Sequence, residues 1–97
     1  MLNYKLVLPD DFDDYEWEVK SKGWFNGVAV IFQNKKYILN FYDPIRLSQE
    51  IGDELSDSDV FFEDNLIVVH SVDRSQIEKA VDFLAKAERL TRLKPEQ

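Results

Sequence analysis

Asp10-Asp11-Phe12-Asp13-Asp14-Tyr15-Glu16-Trp17-Glu18-Val19-Lys20 is the stretch on which the fold turns. From Tyr15 to Lys20 the alternation is strict. Tyr15, Trp17 and Val19 fall on one side of an extended chain and Glu16, Glu18 and Lys20 on the other. That pattern predicts a half-buried strand whose glutamates face solvent and whose rings pack inward. On this reading Glu16 and Glu18 should accept charge reversal with the fold intact.

The neighbouring segments extend the pattern. Leu2 to Leu8 is predicted as a first strand, stopped by Pro9. Ser21 to Gly27 reads as a connection with Gly23 and Gly27 near its ends, and the continuous apolar run Val28 to Phe32 reads as a central strand. A polar turn at Gln33 to Lys36 leads into Tyr37 to Tyr42, completing a hairpin. Asp43-Pro44 opens a helix, because Asp caps a helix start and Pro is tolerated in its first turn. Leu47, Ile51 and Leu55 form the inward stripe of that helix, with Gly52 costing about 1 kcal/mol relative to Ala. Ser56 to Asp59 is loop-like. Val60 to Phe62 and Leu66 to Ser71 read as a second hairpin joined at Glu63-Asp64-Asn65.

Asp73 followed by Gln76 has capping-box spacing and opens a final helix. Ile77, Ala80, Val81, Leu84 and Ala87 supply its apolar face, Lys86, Arg89 and Arg92 complement its dipole, and it frays before Pro95. The order β-β-β-β-α-β-β-α predicts an α+β domain: a largely antiparallel sheet of about five to six strands with two helices on one face. The whole chain, residues 1–97, is expected to be one domain with a polar tail at 94–97.

Composition supports a folded domain. At 44% apolar residues and with only three Gly and three Pro, the chain lies outside the disordered range. A domain of 97 residues can bury roughly 60 to 70% of its unfolded surface, enough for one modest core. The absence of Cys removes disulfides, thiolate zinc sites and a thiol nucleophile. The start Met1-Leu2-Asn3-Tyr4-Lys5 does not read as a secretory signal, and no segment approaches the roughly 20 apolar residues of a membrane span. A cytoplasmic location without membrane association is the expectation.

The catalytic inventory is thin. His70 is the one histidine, and its neighbour Ser71 points to the opposite face of a strand. No Gly-rich phosphate loop precedes a helix and no pair of histidines has metal-ligand spacing. No catalytic residue and no cofactor is assigned, and the chain is read as a non-enzyme. Asp57, Asp59, Glu63 and Asp64 cluster in sequence, but Phe61 and Phe62 stand where a calcium loop needs a ligand and a Gly. Carboxylate-based binding of a divalent metal is therefore a secondary alternative, with no metal ligand assigned.

Charge is the stronger clue. The chain carries 19 Asp plus Glu against 12 Lys plus Arg; without the six carboxylates between Asp10 and Glu18 the balance is 13 against 12. A second acidic segment, Glu50 to Asp64, holds seven carboxylates and no basic residue. Such a surface disfavours direct nucleic-acid binding, which needs clustered Lys and Arg, and suits a basic protein partner. The competing reading is that the acidic faces only maintain solubility. Trp24 and Phe25, between two glycines, either fold onto the core or serve as contacts.

The function expected is that of a small acidic protein-binding domain. In size, charge and lack of catalytic chemistry the chain is similar to small bacterial immunity proteins and antitoxins, which neutralise basic partners. The similarity is one of general character, with no motif that would transfer residue roles. Asp13, Asp14, Glu16, Trp17 and Glu18 are the candidate partner-binding residues, with Trp24 as an anchor. The alternative is a structural or adaptor domain acting as a homodimer through a sheet edge or the final helix.

Overall fold

A computed structural model describes residues 3–96. Over the described residues the chain is α+β, but with a four-stranded mixed sheet and three helices. Strand β1 (Tyr4–Val7) is followed by helix α1 (Phe12–Lys22), strand β2 (Trp24–Phe32) and strand β3 (Lys35–Tyr42). Helix α2 (Pro44–Asp57), strand β4 (Leu66–Val68), helix α3 (Arg74–Lys86) and a 3-10 turn (Leu90–Arg92) complete it. The sheet order is β1-β2-β3-β4; β1, β2 and β3 pair antiparallel and β4 joins β3 in parallel. The sequence expectation of five to six antiparallel strands and two helices is corrected on both counts.

The correction begins at Phe12–Lys22, which is helical rather than a strand over Tyr15 to Lys20. The strict alternation there competes with a helical spacing, and the helical spacing prevails. Phe12, Tyr15 and Val19 recur at i, i+3 and i+7, and Phe12 and Val19 are buried. Asp13 and Asp14 occupy the first turn and Lys20 and Lys22 the last, in accord with the helix dipole. Gly23 then ends the helix in the left-handed conformation at φ 81°, its N–H donating to Val19 O. The helix is kinked at Tyr15.

The β2–β3 hairpin forms as expected, through a two-residue turn with Gln33 and Asn34 at φ 52° and 64°. Val28 pairs with Leu39 and Val30 with Tyr37, so their side chains share the face covered by α1 and α3. Phe12, Val19, Val28, Val30, Leu39, Phe41, Val72, Ile77, Val81 and Leu90 form one core. Phe12 sits 5.2 Å, centroid to centroid, from Phe25 and 5.7 Å edge-on from Tyr15, which roots α1 in that core.

The second predicted hairpin is absent. Phe61 and Phe62 lie outside regular structure, and β4 pairs with β3 in parallel through the crossover helix α2. Asn65, at φ 55°, makes this junction. Its amide donates to Ile38 O and Lys94 O, and its side-chain oxygen accepts from Lys94 N–H. The supposed polar tail is thus held to β3: Pro95 bridges Tyr37, and Glu96 N–H donates to Lys36 O at 2.7 Å. Leu2 and Gln97, included in the predicted first strand and tail, lie outside the described residues.

The two helices expected from caps are present. Asp43 accepts from Arg46 N–H at 2.7 Å and Asp73 from Gln76 N–H at 2.9 Å. In α3, Ile77 and Val81 are buried and Ala80 and Leu84 half-buried, as expected, but the helix ends at Lys86, so Ala85 completes the buried face and Ala87 is an exposed C-cap. Helix α2 departs from expectation, because none of its residues is buried. Leu47 and Ile51 are half-buried and Leu55 is exposed, so the stripe read as inward does not reach the core. The radius of gyration, 13.8 Å, exceeds the roughly 12.5 Å of a compact chain of this length.

Candidate functional site at helix α1 and the start of helix α3

Four carboxylates, Asp13, Asp14, Glu16 and Glu18, and two tryptophans, Trp17 and Trp24, are the sequence candidates in and beside α1, and the structure divides them by task. Asp13 and Glu16 face α3. The Arg74 side chain donates through Nε and Nη2 to Asp13 Oδ1, at 3.0 and 2.8 Å. The Arg74 backbone N–H donates to Glu16 Oε2 at 2.7 Å. Arg74 is the first residue of α3, so Glu16 satisfies one of the N–H groups that a helix start leaves open. The Arg74 guanidinium also lies 5.6 Å above the Phe12 ring. Hydrogen bonding to Asp13 raises the Arg74 pKa further above its ordinary value. Asp13 and Glu16 therefore already serve as an interhelix clasp.

Trp17 occupies the opposite situation. The residue is 72% exposed, although strand alternation places it inward beside Tyr15 and Val19. A helix turns Trp17 away from the Phe12–Tyr15–Val19 face, which explains the reversal. Trp17, Glu16, Lys20, Asp73 and Ser75 line a shallow groove where α1 meets the first turn of α3. Burial disfavours the Asp73 carboxylate, but hydrogen bonds from Gln76 N–H and the Ser71 hydroxyl, with the charge of Lys20, outweigh it and hold its pKa below the ordinary value. An indole face beside two carboxylates is an environment for a cationic side chain, which would displace Lys20 from its 3.8 Å contact with Asp73.

Glu18 lies on the other flank of α1, 3.8 Å from Lys22. It shares a second shallow groove with Trp24 and Phe25, so the fold brings Glu18 and Trp24 together. Trp24 is half-buried beneath the Arg46 guanidinium at 5.9 Å. Asp14 is exposed and makes no ion pair among the described residues. Asp14, Trp17 and Glu18 are thus the candidates whose side chains are free of a role in packing the helices, and the expectation that Glu16 tolerates charge reversal is corrected by its bond to Arg74.

The second acidic segment is also divided. Glu50 pairs with Arg46 at 2.8 Å, Glu63 accepts from the Tyr42 hydroxyl at 2.8 Å, and Asp64 lies 3.4 Å from Lys94. Burial, reinforced by the bond to Glu63, pushes the Tyr42 phenol up to about 12. Asp53, Glu54, Asp57 and Asp59 are exposed, and among the described residues no three carboxylate or imidazole groups converge as metal ligands would. Leu55, Val60 and Phe62 are exposed beside them. Composition could not reveal this, because all three are types that normally signal a core. The Ser71 hydroxyl donates to Asp73 at 2.8 Å, and exposed His70 lines a different groove, between β4 and α3.

No helix among the described residues is long and apolar enough to cross a membrane. No protein-family model, curated protein or solved structure matches the chain.

Proposed function

We propose that the protein is an acidic protein-binding domain that captures and masks a basic partner, with the exposed face of α1 as its contact surface. The observation that carries this reading is Trp17, a large aromatic residue 72% exposed among carboxylates on a helix otherwise well anchored in the core. An exposed Trp on a rigid element costs little entropy to immobilise and is the residue type most often found as an energetic anchor. Asp14 and Glu18 steer the basic partner, and the groove formed by Trp17, Glu16 and Asp73 accepts a Lys or Arg side chain from it.

The test immobilises the domain, captures proteins from the host lysate at low salt and elutes with rising salt. The control is Asp14→Lys with Glu18→Lys, which spares the bonds from Arg74 to Asp13 and Glu16. One stoichiometric basic protein, eluted by salt and lost in the double reversal, supports the proposal. Equal capture by wild type and reversal removes α1 from the site.

A further inference from the structure

We propose that the groove between β4 and α3 binds an extended, acidic peptide segment as an added strand, with a peptide carboxylate set against Lys79. Strand β4 is the last in the sheet. Asn40 N–H donates to Asn65 O and Val69 N–H donates to Tyr42 O, so residues 65 and 69 turn their ladder groups toward β3. By the alternation of a parallel ladder, the N–H and C=O groups of Leu66 and Val68 face away from the sheet. Edge strands are commonly blunted by a charged side chain, a proline or a bulge. The residues of β4 are Leu66, Ile67 and Val68, and Val68 is 47% exposed.

Three residues of edge offer few backbone bonds, so side-chain contacts must supply the remaining affinity. A groove of about 590 Å³ runs beside the edge, within the roughly 300 to 1,000 Å³ usual for ligand sites. Ile67, Ala80, Phe83 and Leu84 give it apolar walls. Phe83 is 60% exposed on α3, whose opposite side carries the buried Ile77, Val81 and Ala85. A strand laid against β4 would direct alternate side chains into this groove, the division of labour used in strand addition: main chain for affinity, pockets for selectivity.

Charge selects the occupant. In a chain with 19 acidic and 12 basic residues, no carboxylate lines the groove; its ionisable lining residues are Lys79 and His70. Every basic side chain flanking α1 is paired with a carboxylate, whereas Lys79 makes no ion pair among the described residues. An apolar segment bearing a carboxylate satisfies Lys79 and fills the walls. The basic partner proposed for α1 would meet like charge here, so the two sites select opposite chemistries.

The probes are two acetylated, fluorescein-labelled heptapeptides, Thr-Val-Thr-Xaa-Thr-Val-Thr, with Xaa glutamate in one and lysine in the other, so that the charge shares a strand face with the valines. Fluorescence anisotropy reads binding, and amide chemical shifts locate it. The glutamate peptide should bind saturably, shift the amides of Leu66 and Val68, and exceed the lysine peptide by about tenfold or more; Lys79→Glu should invert that order. Val68→Pro removes an outward N–H while leaving the Val69 bond to β3, and should abolish binding. Phe83→Ser, at an exposed position that folding does not need, should weaken binding about tenfold or more. The proposal is overturned by absence of saturable binding, by equal binding of both peptides, by Phe83→Ser binding like wild type, or by a second copy already protecting β4 in the peptide-free protein.

Discussion

Glu16 Oε2 accepts the backbone N–H of Arg74 at 2.7 Å across a sequence separation of 58 residues, and this bond ties α1 to the first turn of α3. The same arginine reaches Asp13 with its side chain, so one residue of α3 is gripped by two carboxylates of α1. The two contacts differ in energetic weight. Glu16 is half-buried and bonds a helix N–H that has no other partner among the described residues, whereas the Asp13 side chain is 72% exposed.

Glu16→Ala should therefore destabilise the domain by about 1.5–3 kcal/mol, as for a hydrogen bond to a charged group. Asp13→Ala should cost less than about 1 kcal/mol, as for an exposed ion pair. Urea denaturation of both variants checks the order.

Phe12 is fully buried against Phe25 and Tyr15 at the base of α1. Phe12→Ala should cost about 3–5 kcal/mol and loosen the helix that carries Trp17. The expected signature is a lowered urea midpoint together with faster amide exchange in α1.

Gly23 joins two caps. It ends α1 at φ 81°, and its carbonyl accepts Asp43 N–H at 2.8 Å where α2 begins. A Cβ on Gly23 would stand 2.6 Å from Asp43 Oδ2, the carboxylate that caps α2. Gly23→Ala should cost about 2–3 kcal/mol through the left-handed backbone and the displaced cap. Thermal unfolding measures the loss, and a midpoint equal to wild type would contradict the account of this joint.

These residues also show what the sequence could reveal. The caps at Asp43 and Asp73 and the Gln33-Asn34 turn were legible because each depends on a local rule that three or four residues satisfy by themselves. Tyr15 to Lys20 was misread because Tyr15-Glu16-Trp17-Glu18-Val19-Lys20 satisfies a period of two, while the helical evidence lay in a wider window: Phe12 before it, Val19 within it and Gly23 after it. The parallel pairing of β4 depends on Asn65 meeting Ile38 and Lys94 across 27 and 29 residues, which no local pattern encodes. At the site, the acidic residues were found by composition. Their division between clasping Arg74 and facing solvent follows from which side of a helix each occupies, so it was lost with the strand assignment. The exposure of Leu55, Phe62 and Phe83 was hidden for another reason: apolar side chains carry no sequence mark of whether a partner surface exists.

Stability should respond to pH at both extremes. The pKa of Asp73 is lowered on folding, so its contribution is complete above the ordinary Asp value of about 3.9 and is lost as pH falls below it through the folded value. Asp73→Asn keeps a capping side chain and should flatten this acid limb. Tyr42, raised to about 12, favours the neutral phenol in the folded state. Its contribution is complete below pH about 10 and disappears between about 10 and 12. Tyr42→Phe should remove that alkaline loss, and spectrophotometric titration should show Tyr42 ionising late, in a chain where burial also raises Tyr4 and Tyr15.

The most direct measurement of the central claim is the salt dependence of association and dissociation rates for the captured basic partner. It compares wild type, the Asp14→Lys and Glu18→Lys double reversal, and Trp17→Ala. The reversal should slow association about tenfold or more and flatten its dependence on salt, while Trp17→Ala should leave association nearly unchanged and speed dissociation about tenfold or more. Rates equal to wild type in both variants, with folding intact, would contradict α1 as the surface through which this domain acts.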